Sequence, residues 1–193
     1  MRKINVVLFI LFCIQICNAQ WAFQSLPNTG AWYYSIDFLN STTGCIGGQN
    51  PGRILKTTNG GTNWYISYQA SSNASIKAIK MISSDIIYAV TNTSQFLKTT
   101  NGGTNWDVTT LSMGGMSDMD FRSESTGYVV GDGSRIYKTI NRGDNWTQLT
   151  TEVTSNFFKI RMTDNNIGYV LGNSPRVILK TTNAGINWSN LNT

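Results

Sequence analysis

One short motif occurs four times in the chain, and this repeat limits the possible folds more than any other feature. The first copy runs from Lys56 to Trp64: a lysine, two threonines, a turn rich in asparagine and glycine, and a tryptophan. The first threonine recurs at steps of 42, 40 and 42 residues, as Thr57, Thr99, Thr139 and Thr181. A period of about 40 residues is typical of propeller blades or a solenoid. The sequence therefore predicts a repeat protein.

Each copy predicts a β-hairpin, because a short apolar strand leads into the turn and the tryptophan opens the strand that follows. Glycine adopts a positive φ without a Cβ clash, and asparagine tolerates the same region. We expect a positive φ at the second glycine of every copy, namely Gly61, Gly103, Gly143 and Gly185. The first glycine is replaced by Arg142 and Ala184 in the last two copies. This replacement predicts that only the second position needs the special backbone conformation.

The tryptophans occupy one position of the repeat, as Trp64, Trp106, Trp146 and Trp188. A tryptophan buries roughly 150–250 Å² when it finds cover. Identical placement in every copy favours packing in the core over a row that stacks sugars or bases.

The turn resembles the Asp-box, also called the bacterial neuraminidase repeat. The resemblance is carried by a threonine, an asparagine, a glycine and the tryptophan of each copy: Thr57, Asn59, Gly61, Trp64; Thr99, Asn101, Gly103, Trp106; Thr139, Asn141, Gly143, Trp146; Thr181, Asn183, Gly185, Trp188. All copies have Asn where the usual motif has Asp, so the acceptor oxygen remains and the charge is lost. In proteins that carry it, the box lies at the periphery of a propeller and is structural rather than catalytic.

Four short apolar segments per repeat, separated by Gly, Asn and Ser turns, predict an all-β propeller of four-stranded antiparallel blades. The predicted blades span about 34–69, 76–111, 117–151 and 158–193, within a propeller region of 20–193. Residues 21–26 match the strand that follows each box and predict an extra strand. Four blades plus one strand favour an incomplete or open ring with exposed terminal faces over a closed four-bladed ring.

Residues 1–19 predict a secretory signal peptide cleaved after Ala19, with Arg2 and Lys3 before a short apolar run. An uncleaved anchor is the alternative. The expected location is outside the cell or on its surface, with no membrane span after cleavage. Cleavage leaves Cys45 as the single cysteine, aligned with tyrosines of the other repeats and therefore expected to be buried in a strand. It also lowers the formal charge from +5 to +3, which is too small to indicate nucleic acid as a partner.

The chain contains no histidine, which excludes the usual nucleophile–histidine pairs and the commonest zinc ligand. No catalytic residue, metal site or cofactor is predicted. Two carboxylates could hydrolyse a glycoside, and Asp118, Asp120 and Glu124 form the densest acidic cluster. The alternative is an inner strand with polar flanks.

Charges on the first strand of each repeat alternate in sign, as Asp37, Lys80, Asp120 and Arg161. In a propeller these side chains should gather around the central channel and partly neutralise one another; the alternative is that each is independently solvated. A second, imperfect row precedes the third strands, as Arg53, Arg135 and Arg176, and offers candidate contacts for a partner.

The whole repeat, best seen over residues 120–146, is similar to the photosystem II assembly/stability factor-like propellers. The resemblance covers nearly all of the chain after residue 19. It implies an exported, non-catalytic scaffold that binds a protein partner or a surface glycan. Two alternatives stay open: the N-terminal part of an extracellular glycoside hydrolase of sialidase or glucanase type, and a cell-surface adhesion module. Sialidases usually carry an Arg-Ile-Pro segment, whereas Arg53-Ile54 and Arg135-Ile136 are not followed by proline.

Overall fold

The computed structural model describes residues 23–27, 30–49, 51–71 and 73–191. Within these ranges the chain forms sixteen β-strands in four antiparallel sheets and contains no helix. No described helix could therefore cross a membrane. The predicted signal peptide lies outside the described residues. The all-β prediction is confirmed.

Each sheet holds four consecutive strands. Blade 1 contains β1 (Tyr33–Phe38), β2 (Gly44–Gly48), β3 (Arg53–Thr57) and β4 (Tyr65–Gln69). Blade 2 contains β5 (Ile76–Met81), β6 (Ile87–Thr91), β7 (Gln95–Thr99) and β8 (Asp107–Thr110). Blade 3 contains β9 (Met116–Phe121), β10 (Gly127–Gly131), β11 (Arg135–Thr139) and β12 (Thr147–Leu149). Blade 4 contains β13 (Phe157–Met162), β14 (Gly168–Asn173), β15 (Arg176–Thr181) and β16 (Ser189–Asn190).

The strands of every blade pair in sequence order, and the first strands of successive blades contact each other as β1, β5, β9 and β13. These inner strands therefore surround a common axis. Among the described residues, β13 makes no contact of similar extent with β1. The blades form an open arc, as the sequence predicts.

Three apolar clusters join neighbouring blades. Each cluster contains side chains from both of the sheets that it joins. Examples are Ile54 and Ile79 between blades 1 and 2, Phe96 and Phe121 between blades 2 and 3, and Ile136 and Ile160 between blades 3 and 4. Because strand side chains alternate between faces, a blade gives one set of side chains to each neighbour. The core of the protein thus lies between blades rather than within them.

The tryptophans pack toward the preceding blade. Trp106, Trp146 and Trp188 join the three interblade clusters, and the Trp106 indole N–H donates to the Ser67 carbonyl of blade 1 at 3.1 Å. No blade precedes that of Trp64 within the described residues, and its ring packs edge-on against Phe38 at 6.0 Å between centroids. The four rings serve packing, in agreement with the sequence prediction.

The turn of each repeat is closed by the same hydrogen bonds. In blade 1, the Thr57 hydroxyl donates to Asn59 Oδ1 at 3.0 Å and accepts from the Gly61 N–H at 2.9 Å, and Asn59 Oδ1 also accepts from the Asn63 N–H at 2.9 Å. The other three copies repeat these bonds. The asparagine acts through its acceptor oxygen, which explains why the turn survives the loss of the aspartate charge.

Backbone conformation in the turns confirms one sequence prediction and corrects another. The second glycines have φ of 90°, 90°, 78° and 84°. The first position is also left-handed, with φ of 63° at Arg142 and 58° at Ala184. The expectation that only the second position needs a positive φ is therefore wrong. The first position is held by a carbonyl of the loop between the first two strands, because the Arg142 N–H donates to the Ser125 carbonyl at 3.1 Å and the Ala184 N–H donates to the Asn166 carbonyl at 2.8 Å. Side chains at this position therefore adopt a conformation that they otherwise avoid.

The extra strand predicted over residues 21–26 lies only partly within the described residues. Residues 21 and 22 lie outside the described residues, and residues 23–26 form no strand. A strand requires a partner edge, and the inner strands of a blade preceding blade 1 are absent from the described residues. The segment still runs beside blade 1, because Gln24 Oε1 lies 3.4 Å from the position that a Cβ on Gly61 would occupy.

Cys45 lies in β2 and is fully buried, as its alignment with the tyrosines predicts. Burial raises the pKa of its thiol to about 12. The reactive thiolate is therefore disfavoured.

Candidate functional site

The inner strands of all four blades line one cavity of about 310 Å³ at the axis of the arc. Residues 34–37 of β1 and 77–80 of β5 form one side, and residues 118–120 of β9 form the other, together with Lys159 and Arg161 of β13. Seven of these side chains carry charge: Asp37, Lys77, Lys80, Asp118, Asp120, Lys159 and Arg161. The four alternating charges predicted from the sequence are all among them.

The carboxylates join adjacent blades. Asp37 Oδ2 accepts from the Met81 N–H at 2.7 Å, and Asp120 Oδ2 accepts from the Met162 N–H at 2.7 Å. Asp118 is the most deeply buried of the three, and its Oδ2 accepts from the Ile160 N–H at 3.1 Å. Each acid thus satisfies a backbone donor of the next inner strand, which would otherwise lack a partner in the channel.

The cations lie beside these acids and reach further into the cavity. Lys80 Nζ lies 3.7 Å from Asp37 Oδ2, and Arg161 Nη1 lies 2.9 Å from Asp118 Oδ2. Lys159 Nζ lies 3.5 Å from the other oxygen of Asp118. Lys77 Nζ lies 4.0 Å from the centre of the Tyr34 ring, a cation–π distance.

The sequence analysis predicted only part of this site. It predicted that Asp37, Lys80, Asp120 and Arg161 partly neutralise one another, whereas Arg161 forms its ion pair with Asp118, which was not in that set. Asp118 and Lys159 could have been predicted, because they lie two residues before Asp120 and Arg161 and residues two apart on a strand share a face. The position of Lys77 in the cavity could not have been predicted in this way, since Lys77 is the unpaired residue where the β5–β6 register shifts between Ile76 and Ala78. A bulge of this kind redirects side chains in a way that period two does not predict.

The arginine row lies elsewhere. Arg53, Arg135 and Arg176 begin β3, β11 and β15 at the same end of their blades. Arg53 donates to Gln69 Oε1 at 2.9 Å, and Arg176 lines a groove on the open side of blade 4. The structure does not gather the three into the central cavity.

The box residues lie away from the cavity, in the turns between the third and fourth strands. Glu124 is also outside it and forms an ion pair with Arg142. Among the described residues, no three His, Cys, Asp or Glu side chains are grouped as metal ligands would be.

Four antiparallel sheets around an axis, each closed by an Asp-box-like turn, define a propeller of the bacterial neuraminidase repeat type. Residues 113–193 match the sequence family described as photosynthesis system II assembly factor YCF48. The chain is therefore a propeller similar to this assembly factor. A comparison with curated protein sequences gave no match.

Solved structures share the fold at low sequence identity. YCF48 from Cyanidioschyzon merolae is 19% identical with a TM-score of 0.66, over 86% of this chain and 57% of that one. YCF48 bound to D1 peptide is 13% identical with a TM-score of 0.57, over 83% and 82%. The Niastella koreensis GH74 enzyme is 21% identical with a TM-score of 0.62, over 82% and 30%. This chain thus spans only part of the first and third of these proteins.

Proposed function

We propose that this protein is an exported, non-catalytic propeller scaffold that binds a protein partner at the mouth of the central cavity. The observation that carries the proposal is the convergence of charged side chains from four separate blades on one rigid cavity. Binding residues commonly occur where a rigid framework brings separate segments together.

The similarity to YCF48 supports a protein as the partner, because one of the related structures holds a D1 peptide. Export is part of the proposal and depends on residues 1–19. Mass spectrometry of the secreted and the intracellular protein tests export, because the secreted form should lack the mass of residues 1–19. Retention of residues 1–19 in a cell-associated protein would contradict export.

Partner binding at the cavity can be tested with a photo-crosslinking side chain at two matched positions. Tyr34 lines the cavity on β1, whereas Tyr65 lies on the outer strand β4 and is similarly exposed. We expect Tyr34→p-benzoylphenylalanine to crosslink to one protein of defined mass in the native host, and Tyr65→p-benzoylphenylalanine not to do so. Equal crosslinking from both positions, or none from Tyr34, would overturn the proposed location.

The absence of catalysis needs its own measurement, because propellers of GH74 enzymes share the fold. Asp118 and Asp120 both accept backbone N–H groups, which suits a structural role better than a proton shuttle. We expect no hydrolysis of glucans or sialosides by the full chain. Hydrolysis that disappears in Asp118→Ala or Asp120→Ala would establish a glycosidase instead.

A further inference from the structure

The acids and the cations of the cavity differ sharply in exposure. The side chain of Asp118 is 4% exposed and that of Asp37 is 24% exposed, whereas Lys159 and Arg161 are 52% and 60% exposed. The acids therefore point toward the next blade, where they accept hydrogen bonds. The cations point into the open space of the cavity. Although the charges alternate along the sequence, the surface that a ligand meets is predominantly cationic.

The cationic groups keep donors for a ligand. Arg161 reaches both Asp118 and the Ile160 carbonyl through Nη1, so Nε and Nη2 retain hydrogen-bonding capacity in the planar geometry that suits an oxyanion. Lys77 is held over the ring of Tyr34 rather than by a carboxylate. A cation on an aromatic face keeps its ammonium donors available.

An aromatic side chain adjoins these cations. Tyr34 lines the cavity and contributes its half-exposed ring. The volume of about 310 Å³ is at the lower end of the range for ligand pockets, roughly 300–1,000 Å³. It suits a few side chains of an extended segment rather than a folded domain.

We propose that the cavity binds an acidic peptide segment, with carboxylates on Lys77, Lys80, Lys159 and Arg161 and a neighbouring apolar side chain on the Tyr34 ring. This inference rests on the proposed protein-binding function and names the chemistry of the partner. Free phosphate and sulfated or uronate-containing glycans share the oxyanion chemistry; phosphate has no apolar part to place on the Tyr34 ring, and the similarity to a peptide-bound propeller favours a peptide over a glycan.

The test is calorimetric titration of the full chain at low salt with two acetylated, amidated hexapeptides, one alternating glutamate and leucine and the other glutamine and leucine. We expect the glutamate peptide to bind at least ten-fold more tightly. The preference should fall as salt rises, because screening weakens exposed charge interactions. Equal affinity for the two peptides would overturn the inference.

Variants locate the binding. Lys77→Met and Arg161→Met should each weaken binding of the glutamate peptide at least five-fold, and Arg161→Lys should weaken it less than Arg161→Met. Arg122→Met removes an exposed cation that follows β9 outside the cavity and should leave the affinity unchanged. Thermal melts of each variant separate lost binding from lost folding. Unchanged affinity in folded Lys77→Met and Arg161→Met proteins would overturn the assignment.

Two further arms separate the sources of the anion. Binding of sulfated or uronate-containing oligosaccharides, or of inorganic phosphate, without binding of the glutamate peptide would overturn the peptide assignment. Crosslinking of a protein to position 34 that persists in Lys77→Met and Arg161→Met would overturn this inference while leaving the proposed function intact.

Discussion

The faces between blades and the faces at the two ends of the arc contain the same kinds of residue in opposite environments. Ile136 of β11 is fully buried against blade 4, whereas Ile178, at the same repeat position of β15, is 40% exposed. On the other side of the blade, Ile160 is fully buried and its counterpart Ile36 is 63% exposed.

The difference teaches that a blade does not form a core of its own. Stability in a repeat protein is a sum of the stabilities of the repeats and of the interfaces between neighbours. The terminal faces have the side chains of such an interface without a neighbour among the described residues. The following predictions compare matched positions on the two kinds of face.

The largest difference is expected for Ile136→Ala and Ile178→Ala. Truncating a buried isoleucine costs about 2–5 kcal/mol because packing is lost and a cavity remains. Ile178→Ala should cost less than about 1 kcal/mol, since half-exposed surface sites contribute little. Urea unfolding of the two variants measures the difference. Similar costs would show that blade 4 is covered in solution.

A smaller difference is expected between Gly103→Ala and Gly61→Ala, which share a φ of 90°. The left-handed conformation should cost both variants about 1–2 kcal/mol. A Cβ on Gly103 would also lie 2.0 Å from Ser67 Oγ of blade 1. Ser67 would have to rotate and give up its bond to the Gly103 carbonyl at 3.1 Å, which adds about 1 kcal/mol.

Ser67→Ala provides the control for this pair. In the double variant Ser67→Ala/Gly103→Ala the additional cost should largely disappear, because the clashing oxygen is gone. An additional cost that persists would mean that the contact with blade 1 is not its source.

Ala184→Gly should stabilise the protein by up to about 1 kcal/mol. Ala184 holds a φ of 58°, which glycine adopts without a Cβ penalty. Its carbonyl accepts from Tyr128 and Lys138 of blade 3, and these bonds should remain. Thermal melting gives the readout, and the reverse change Gly60→Ala in blade 1 should destabilise by a similar amount. A lower melting temperature for Ala184→Gly would contradict this reading of the turn.

The last difference is confined to alkaline pH. Tyr88 is buried at the interface with blade 3 and donates to the Glu124 carbonyl at 2.7 Å. Burial raises the pKa of this phenol to about 12. A folded-state pKa above the unfolded value means that the contribution to stability is complete below pH ~10 and is lost as the pH rises through about 12.

Stability curves of wild type and Tyr88→Phe from pH 9 to 12 test this expectation. The alkaline loss of stability should be smaller in Tyr88→Phe. Tyr169→Phe, at the same position in blade 4, serves as the control, because no following blade lies within the described residues. An unchanged alkaline slope in Tyr88→Phe would show that this hydroxyl does not contribute to it.

The sequence predicted the elements that depend on local chemistry. The four copies of the box predicted the four described blades, and the short apolar segments between Gly, Asn and Ser turns predicted the strands of each blade. The positive φ at Gly61 and its counterparts followed from the chemistry of the turn. The extra strand at residues 21–26 could not be judged in this way, because a strand forms only beside a partner edge.

The candidate site was predicted only in part, for the same reason. The shared position of Asp37 and Arg161 in the first strand of their repeats was enough to predict them as channel-facing charges. The role of Asp118 depends on the Ile160 N–H of the next blade, and Lys77 turns inward through a bulge. Both depend on contacts between segments that are distant in sequence.

By itself, then, the sequence determined the repeat, the hairpin turns and the antiparallel blades, because each is specified by residues within a few positions of one another. Only the tertiary structure decided which apolar faces are covered and which charges stay exposed. Those outcomes depend on how neighbouring blades meet. The neighbouring blade decides whether a side chain at a given repeat position is buried or exposed. It also decides whether a charged side chain is hydrogen-bonded or available to a ligand.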